Sequence, residues 1–124
     1  MLQHYIDTVN NFYSAEEFDD WLLSLSDPIP TSISKEIRKK SNLVRGCEIS
    51  TWLSRTESED GPVILYDSDS RMNLGLAKII VDVCNSTGVN NLSFYDLNEV
   101  TQFLTLNKKR GLQLMLNKIR LIMS

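Results

Sequence analysis

Two strand candidates in the middle of the chain, with helical segments on both sides, place the strongest constraint on its fold. Residues 49–55 alternate apolar and polar side chains, residues 63–66 form a short apolar run, and the polar link between them ends at Gly61. This pattern is typical of a β-hairpin. The flanking segments instead carry apolar side chains at helical spacing, which predicts helices over residues 2–12, 14–25, 72–87, 97–104 and 107–123. The order predicts an α+β fold, a small antiparallel β-sheet packed against several α-helices.

Polar side chains indicate where several of these helices begin. Ser14 with Glu17 has the spacing of a capping box, and residues 67–70 offer capping oxygens to the long central helix. Asn107 is the expected cap of the last helix. Residues 31–41 contain two isoleucines among basic side chains, and we interpret them as a short, solvated helix or turn.

The size and charge of the chain exclude several classes of protein. At 124 residues we expect a single domain, residues 1–124. A net charge of -3 argues against nucleic acid or an anionic membrane as the main partner. No apolar run approaches the roughly 20 residues that span a bilayer. The first residues do not resemble a secretory signal, so we expect a cytoplasmic protein.

Two cysteines and one histidine limit the chemistry of any site. Without a CxxC pair, a zinc site built mainly from Cys and His is nearly excluded. A Cys-His or Ser-His-Asp arrangement would have to use His4, at the far end of the chain. We therefore predict no metal site.

Cys47 is the main candidate for a functional side chain. Gly46 before it allows a sharp turn, and the strand pattern that follows places its sulfur on a loop at the mouth of a strand. If this segment is extended, Arg45 points the same way as Cys47 and would lower the pKa of the thiol, whereas Glu48 would oppose that effect. A free cysteine is nevertheless more often a small buried apolar residue.

Other candidates have ordinary structural interpretations. Cys84 lies on an apolar helix face, where we expect it to be structural. Asp67 and Asp69 fit turn and cap positions better than a metal pair. Lys108 and Arg110 could be solvated residues of a first helical turn. Cations at a helix N-terminus are slightly unfavourable, however, which is a small indication that these two have another purpose.

Three sequence blocks together resemble one protein family. They are Val44-x-Gly46-Cys47 with Trp52-Leu53, Asp67-Ser68-Asp69 with Gly75-Leu76, and Leu104-Thr105 with Gly111-Leu112, Met115 and Ile119. At these separations, over nearly the whole chain, they are similar to SufE and its relative CsdE, sulfur-acceptor proteins of iron–sulfur cluster assembly. Two positions differ. Leu74 stands where the family has a basic residue, and Lys108 stands where it has an arginine of the third block.

The resemblance implies a SufE/IscU-like fold and a sulfur-carrying function. Cys47 would accept sulfur as a persulfide from a SufS- or CsdA-like cysteine desulfurase, stimulate that enzyme, and pass the sulfur to a SufBCD-like scaffold. Lys108 would help to position or charge-stabilise the sulfur. We expect Arg45, Gly46, Glu48 and Arg110 to contribute to the loop and to partner contact.

The resemblance also implies that this chain needs no cofactor, because pyridoxal phosphate belongs to the desulfurase. We expect a monomer or a weak homodimer. Two alternatives stay open: a non-catalytic regulator that binds a desulfurase without carrying sulfur, and a thiol enzyme, which would lack a resolving cysteine close in sequence.

Overall fold

A computed structural model describes residues 1–27, 29–89 and 92–124 of the chain. Within those ranges it has five α-helices and one hairpin, in the order α1 (Leu2–Asn10), α2 (Ala15–Ser24), α3 (Thr31–Ile37), β1 (Thr51–Ser58), β2 (Gly61–Ser68), α4 (Arg71–Thr87) and α5 (Leu106–Met123). Short 3-10 turns lie at Lys40–Asn42 and Phe94–Leu97. This architecture confirms the predicted α+β fold. None of the helices in the described ranges is long and apolar enough to cross a membrane.

The hairpin is longer than the apolar pattern predicted. β1 and β2 pair antiparallel from Thr51 opposite Ser68 to Ser58 opposite Gly61. A backbone ladder does not require apolar side chains, so pairing continues through the polar residues at the far end. Gly61 has a φ of 111°, which permits the tight two-residue turn before it.

Helix α4 forms the centre of the core. It packs against β2 on one side and against α2 on another, while α5 covers β1. The tightest approach is at Gly75, where an added Cβ would lie 2.4 Å from the carbonyl oxygen of Leu22. Only a residue without a side chain allows α2 and α4 to pack this closely.

The helix ends agree with the predicted caps at some positions and differ at others. Ser14 accepts from the Glu17 N–H and begins α2, as predicted, and α4 ends before Gly88. The cap of α5 lies two residues before the predicted cap, because it is Thr105, whose hydroxyl accepts from the Lys108 N–H. The predicted cap at Asn107 is therefore wrong.

The segment predicted as a helix over residues 97–104 does not form a regular α-helix. A 3-10 turn at Phe94–Leu97, capped by Ser93, is followed by further turns. These turns still bury Leu97, Val100 and Leu104. Tertiary packing of these apolar side chains, rather than helix propensity, decides the conformation of the segment.

An ion-pair cluster attaches α3 to the hairpin. The Arg38 guanidinium donates to Asp67 at 2.7 Å and also pairs with Asp69. Its carbon lies 4.3 Å from the centroid of the Trp52 ring, a cation–π distance. Ser34 donates a further hydrogen bond to Asp67.

Two predictions are corrected by this cluster. Within residues 67–70, only Ser70 caps α4, whereas Asp67 and Asp69 bind Arg38. Residues 31–41 are not simply solvated, since Ile37 is buried. Burial alone would raise the pKa of Asp67, but hydrogen bonds from Arg38, Ser34 and the Ser68 N–H outweigh it and hold that pKa below its usual value.

Candidate functional site

The loop that carries Cys47 is fastened to the hairpin at both ends. At its start, the Val44 N–H donates to the Thr51 carbonyl at 2.8 Å. At its end, the Ser50 carbonyl accepts from the Asp69 N–H and from the Ser68 hydroxyl, both at 3.0 Å.

Between these anchors the backbone makes few contacts of its own. Among the described residues, the one hydrogen bond to the backbone of residues 45–49 runs from the Thr51 hydroxyl to the Ile49 carbonyl. The middle of the loop can therefore change conformation while the hairpin stays paired.

Gly46 shapes this loop. Its φ of 91° lies in the region that favours glycine, and a Cβ there would be 3.1 Å from Cδ1 of Leu114 on α5. The chain turns at Arg45 and Gly46. The extended segment that would have placed Arg45 beside Cys47 is therefore absent. Arg45 is exposed and does not line the Cys47 cavity, so its expected effect on the thiol is not seen.

Cys47 is half-buried and faces a cavity of about 250 Å³. Three parts of the fold form its walls: the loop at 46–49, the start of α4, and the first turns of α5. Of the predicted site residues, the cavity brings together Gly46, Cys47, Glu48, Lys108 and Arg110. Lys108 and Arg110 line the same cavity from a distant part of the sequence because α5 packs against β1.

Burial keeps the Cys47 thiol neutral. Burial raises the pKa of Cys47 above its ordinary value of 9.0, because the thiolate would lose hydration. Within the described part of the chain, neither Lys108 nor Arg110 forms an ion pair. Cys47 is thus protonated at neutral pH, in a cavity whose lining also includes Lys108, Arg110 and Glu48.

Several residues of the cavity were not predicted from the sequence. Ser70, the N-cap of α4, and Asn73 within that helix contribute polar groups, and the Asn73 amide donates to the Thr51 hydroxyl at 3.3 Å, which ties α4 to the base of the loop. Asn107 and Leu114 come from α5. Residues 107, 110, 111 and 114 are three or four positions apart and therefore lie on one face of α5. Once Arg110 was chosen as a site residue, this spacing could have identified Asn107 and Leu114 as its neighbours.

Cys84 differs from Cys47 in its exposure, although burial raises the pKa of both thiols. It is 3% exposed within the apolar face of α4, as the sequence predicted. Burial raises its pKa to about 11, with a small opposing effect of Arg120. Cys84 therefore fills space in the core as a small apolar side chain.

Residues 3–123 match the protein family model described as SufE, Fe-S metabolism associated domain. The match begins in α1 and ends in α5, and it includes the whole Cys47 cavity. Among the residues that the structure describes, no group of three His, Cys, Asp or Glu side chains is arranged to hold a metal ion.

Proposed function

The chain belongs to the SufE family, whose domain is associated with iron–sulfur metabolism, and we propose that it is a sulfur acceptor and carrier. Cys47 receives sulfur as a persulfide from a SufS- or CsdA-like cysteine desulfurase, stimulates that enzyme by removing its product, and passes the sulfur to a SufBCD-like scaffold. The observation that carries this proposal is the contrast between the two thiols. Cys47 faces an open cavity on a loop with few contacts, and Cys84 is sealed in the core.

The transfer step needs only Cys47 and the persulfide-bearing cysteine of the desulfurase. The Cys47 thiolate attacks the terminal sulfur of the donor cysteine persulfide, and a new S–S bond forms at Cys47. The S–S bond of the donor breaks, and its electron pair remains on the donor sulfur, which takes up a proton. The pyridoxal phosphate chemistry that releases sulfur from cysteine takes place in the partner.

The raised pKa of Cys47 fits a thiol that is stored until a donor arrives. While the loop is closed, burial keeps the sulfur protonated and poorly nucleophilic. Turning about Gly46 would move residues 45–49 outward without breaking the anchors at Val44 and Ser50. Exposure of the sulfur then removes the desolvation that raised its pKa, which increases the fraction of thiolate that is available when the donor approaches.

Lys108 is the side chain that we expect to position or charge-stabilise the transferred sulfur. It lines the cavity, is half-buried and lacks an ion-pair partner among the described residues. Lys108→Ala should lower the rate of sulfur acceptance by a factor that corresponds to about 1 kcal/mol, since the site is only partly desolvated. Lys108→Arg should match or exceed the native rate because arginine offers more donors in a fixed fork. Equal rates for all three proteins would reduce Lys108 to a solvated helix-start residue.

Mass spectrometry of the protein after turnover of cysteine by a purified desulfurase tests the carrier function directly. We expect one added, reductant-labile sulfur atom on the peptide that contains Cys47 and none on the peptide that contains Cys84. Added sulfur on Cys84, or on neither thiol, would refute the assignment. A Cys47→Ser variant that still stimulates the desulfurase fully would instead support a regulator that does not carry sulfur.

A further inference from the structure

Exposed apolar side chains and two cations lie on or next to the wall of the Cys47 cavity. Ile49, on the cavity wall, is 44% exposed. Leu106 is 85% exposed and immediately precedes Asn107, which lines the cavity. Lys108 and Arg110 lie on the α5 wall. We call these four residues the mouth surface.

No ion pair among the described residues neutralises the cations of the mouth surface, and Glu48 is the one carboxylate among the described residues that line the same cavity. The first turn of α5 contains no acidic residue, and the described residues place no carboxylate in an ion pair with Lys108 or Arg110. Their position near the helix N-terminus is slightly unfavourable because the helix dipole is positive there. The chain as a whole has a net charge of -3, so the mouth surface is positive on a protein that is negative overall.

The exposure of Leu106 also indicates a surface that contacts another molecule. Leu106 gains almost nothing from the core, since most of its surface is in water. It could cover apolar surface of another molecule at little cost, because it begins a helix that is held by its own buried face. An apolar side chain beside unpaired cations fits a polypeptide better than a small anion, which would leave Leu106 exposed.

We propose that the mouth surface docks an acidic segment of the protein that donates the sulfur. Arg110 binds a carboxylate of that segment with its planar fork, and Leu106 covers an apolar side chain next to it. Ile49 and Lys108 border the path by which the donor cysteine enters the cavity. This proposal rests on the proposed function, because it names the chemistry of the surface that the sulfur donor must present.

Binding measurements on a Cys47→Ala background test the docking separately from sulfur transfer. Purified SufS-like and CsdA-like desulfurases are the probes, titrated calorimetrically at low and at moderate salt. Arg110→Glu is the main variant and Leu106→Ser the second. Lys40→Glu is the matched control, since Lys40 is exposed, lies outside the cavity, and gives the same change in net charge. Thermal unfolding confirms that each variant is folded.

We expect Arg110→Glu to weaken binding about tenfold and to flatten its salt dependence, as for loss of a complementary charge in an interface. Leu106→Ser should weaken binding at both salt concentrations equally, and Lys40→Glu should bind like the parent. Equal losses for Arg110→Glu and Lys40→Glu would reduce the effect to net charge and overturn the proposal. The proposal would also be overturned if the parent protein did not bind either desulfurase. The same holds if inorganic phosphate displaced the desulfurase and chloride of equal ionic strength did not.

The two proposals fail in different ways. If docking depends on Arg110 and Leu106 but the native protein never acquires sulfur on Cys47, the carrier function is wrong and the docking surface stands. If Cys47 acquires sulfur normally in the Arg110→Glu and Leu106→Ser variants and their affinities are unchanged, the docking surface is wrong and the carrier function stands.

Discussion

Replacement of Gly46 by alanine should open the Cys47 loop more than it destabilises the fold. The φ of 91° at Gly46 is a conformation that costs an L-residue about 1–2 kcal/mol. The new Cβ would also lie 3.1 Å from Cδ1 of Leu114, which must shift slightly. Together the two effects raise the free energy of the closed loop by about 2 kcal/mol.

This strain can be relieved locally. Within the described chain, the backbone of residues 45–49 takes part in one hydrogen bond, from the Thr51 hydroxyl to the Ile49 carbonyl, so the loop can open while the hairpin remains intact. A change of about 2 kcal/mol corresponds to roughly a 30-fold increase in the population of the open loop. The rate of Cys47 alkylation should rise by a similar factor, whereas the free energy of unfolding falls by less than the full strain.

Pulsed alkylation with iodoacetamide, followed by peptide mass spectrometry, measures the reactivity of Cys47. Cys84 is an internal reference because it reacts only when the core opens. The matched control is Gly61→Ala, which has a comparable φ of 111° and no atom within 4 Å of its new Cβ. That control should lose stability in urea without any change at Cys47.

The reasoning would be refuted by one clear pattern of results. If Gly46→Ala left the alkylation rate of Cys47 unchanged and lost as much stability as Gly61→Ala, the loop would not be able to relieve strain independently of the fold. Gly46 would then be a structural turn residue, and the swinging loop of the proposed mechanism would have no hinge there.

Three further substitutions test the packing and electrostatics through urea unfolding. Gly75→Ala should lose about 2–3 kcal/mol, since a Cβ 2.4 Å from the Leu22 carbonyl forces α2 away from α4; unchanged stability would contradict the close approach. Gly111→Ala should instead gain up to about 1 kcal/mol, because its Cβ meets no atom within 4 Å and alanine favours the helix; a loss would show that the space there is not open. Asp67→Asn should lose about 1–2 kcal/mol at neutral pH as the hydrogen bonds from Arg38 weaken. Because folding lowers the pKa of Asp67, this stabilisation is fully present above the unfolded-state pKa of 3.8 and is lost as the pH falls through the folded-state pKa. If the difference in free energy of unfolding between the native protein and the variant did not shrink in acid, that result would argue against the ion pair.

Local patterns in the sequence were sufficient to predict most of the secondary structure, while the role of Cys47 as the functional thiol stays a prediction. The hairpin, the buried faces of α4 and α5, and the contrast between Cys47 and Cys84 all follow from side-chain periodicity and from the glycine before Cys47. These features depend on residues a few positions apart, and such spacing is visible in the chain itself.

The tertiary structure decided which side chains surround that thiol and what state it is in. Arg45, two residues before Cys47, is exposed and does not line the cavity, whereas Lys108 and Arg110 line it because α5 packs on β1. The attachment of Arg38 to Asp67 was invisible for the same reason, since it joins a helix to a strand that is remote in sequence. The raised pKa of Cys47 comes from burial, and burial depends on the assembled packing of the loop against α4 and α5 rather than on any neighbouring residue in the chain.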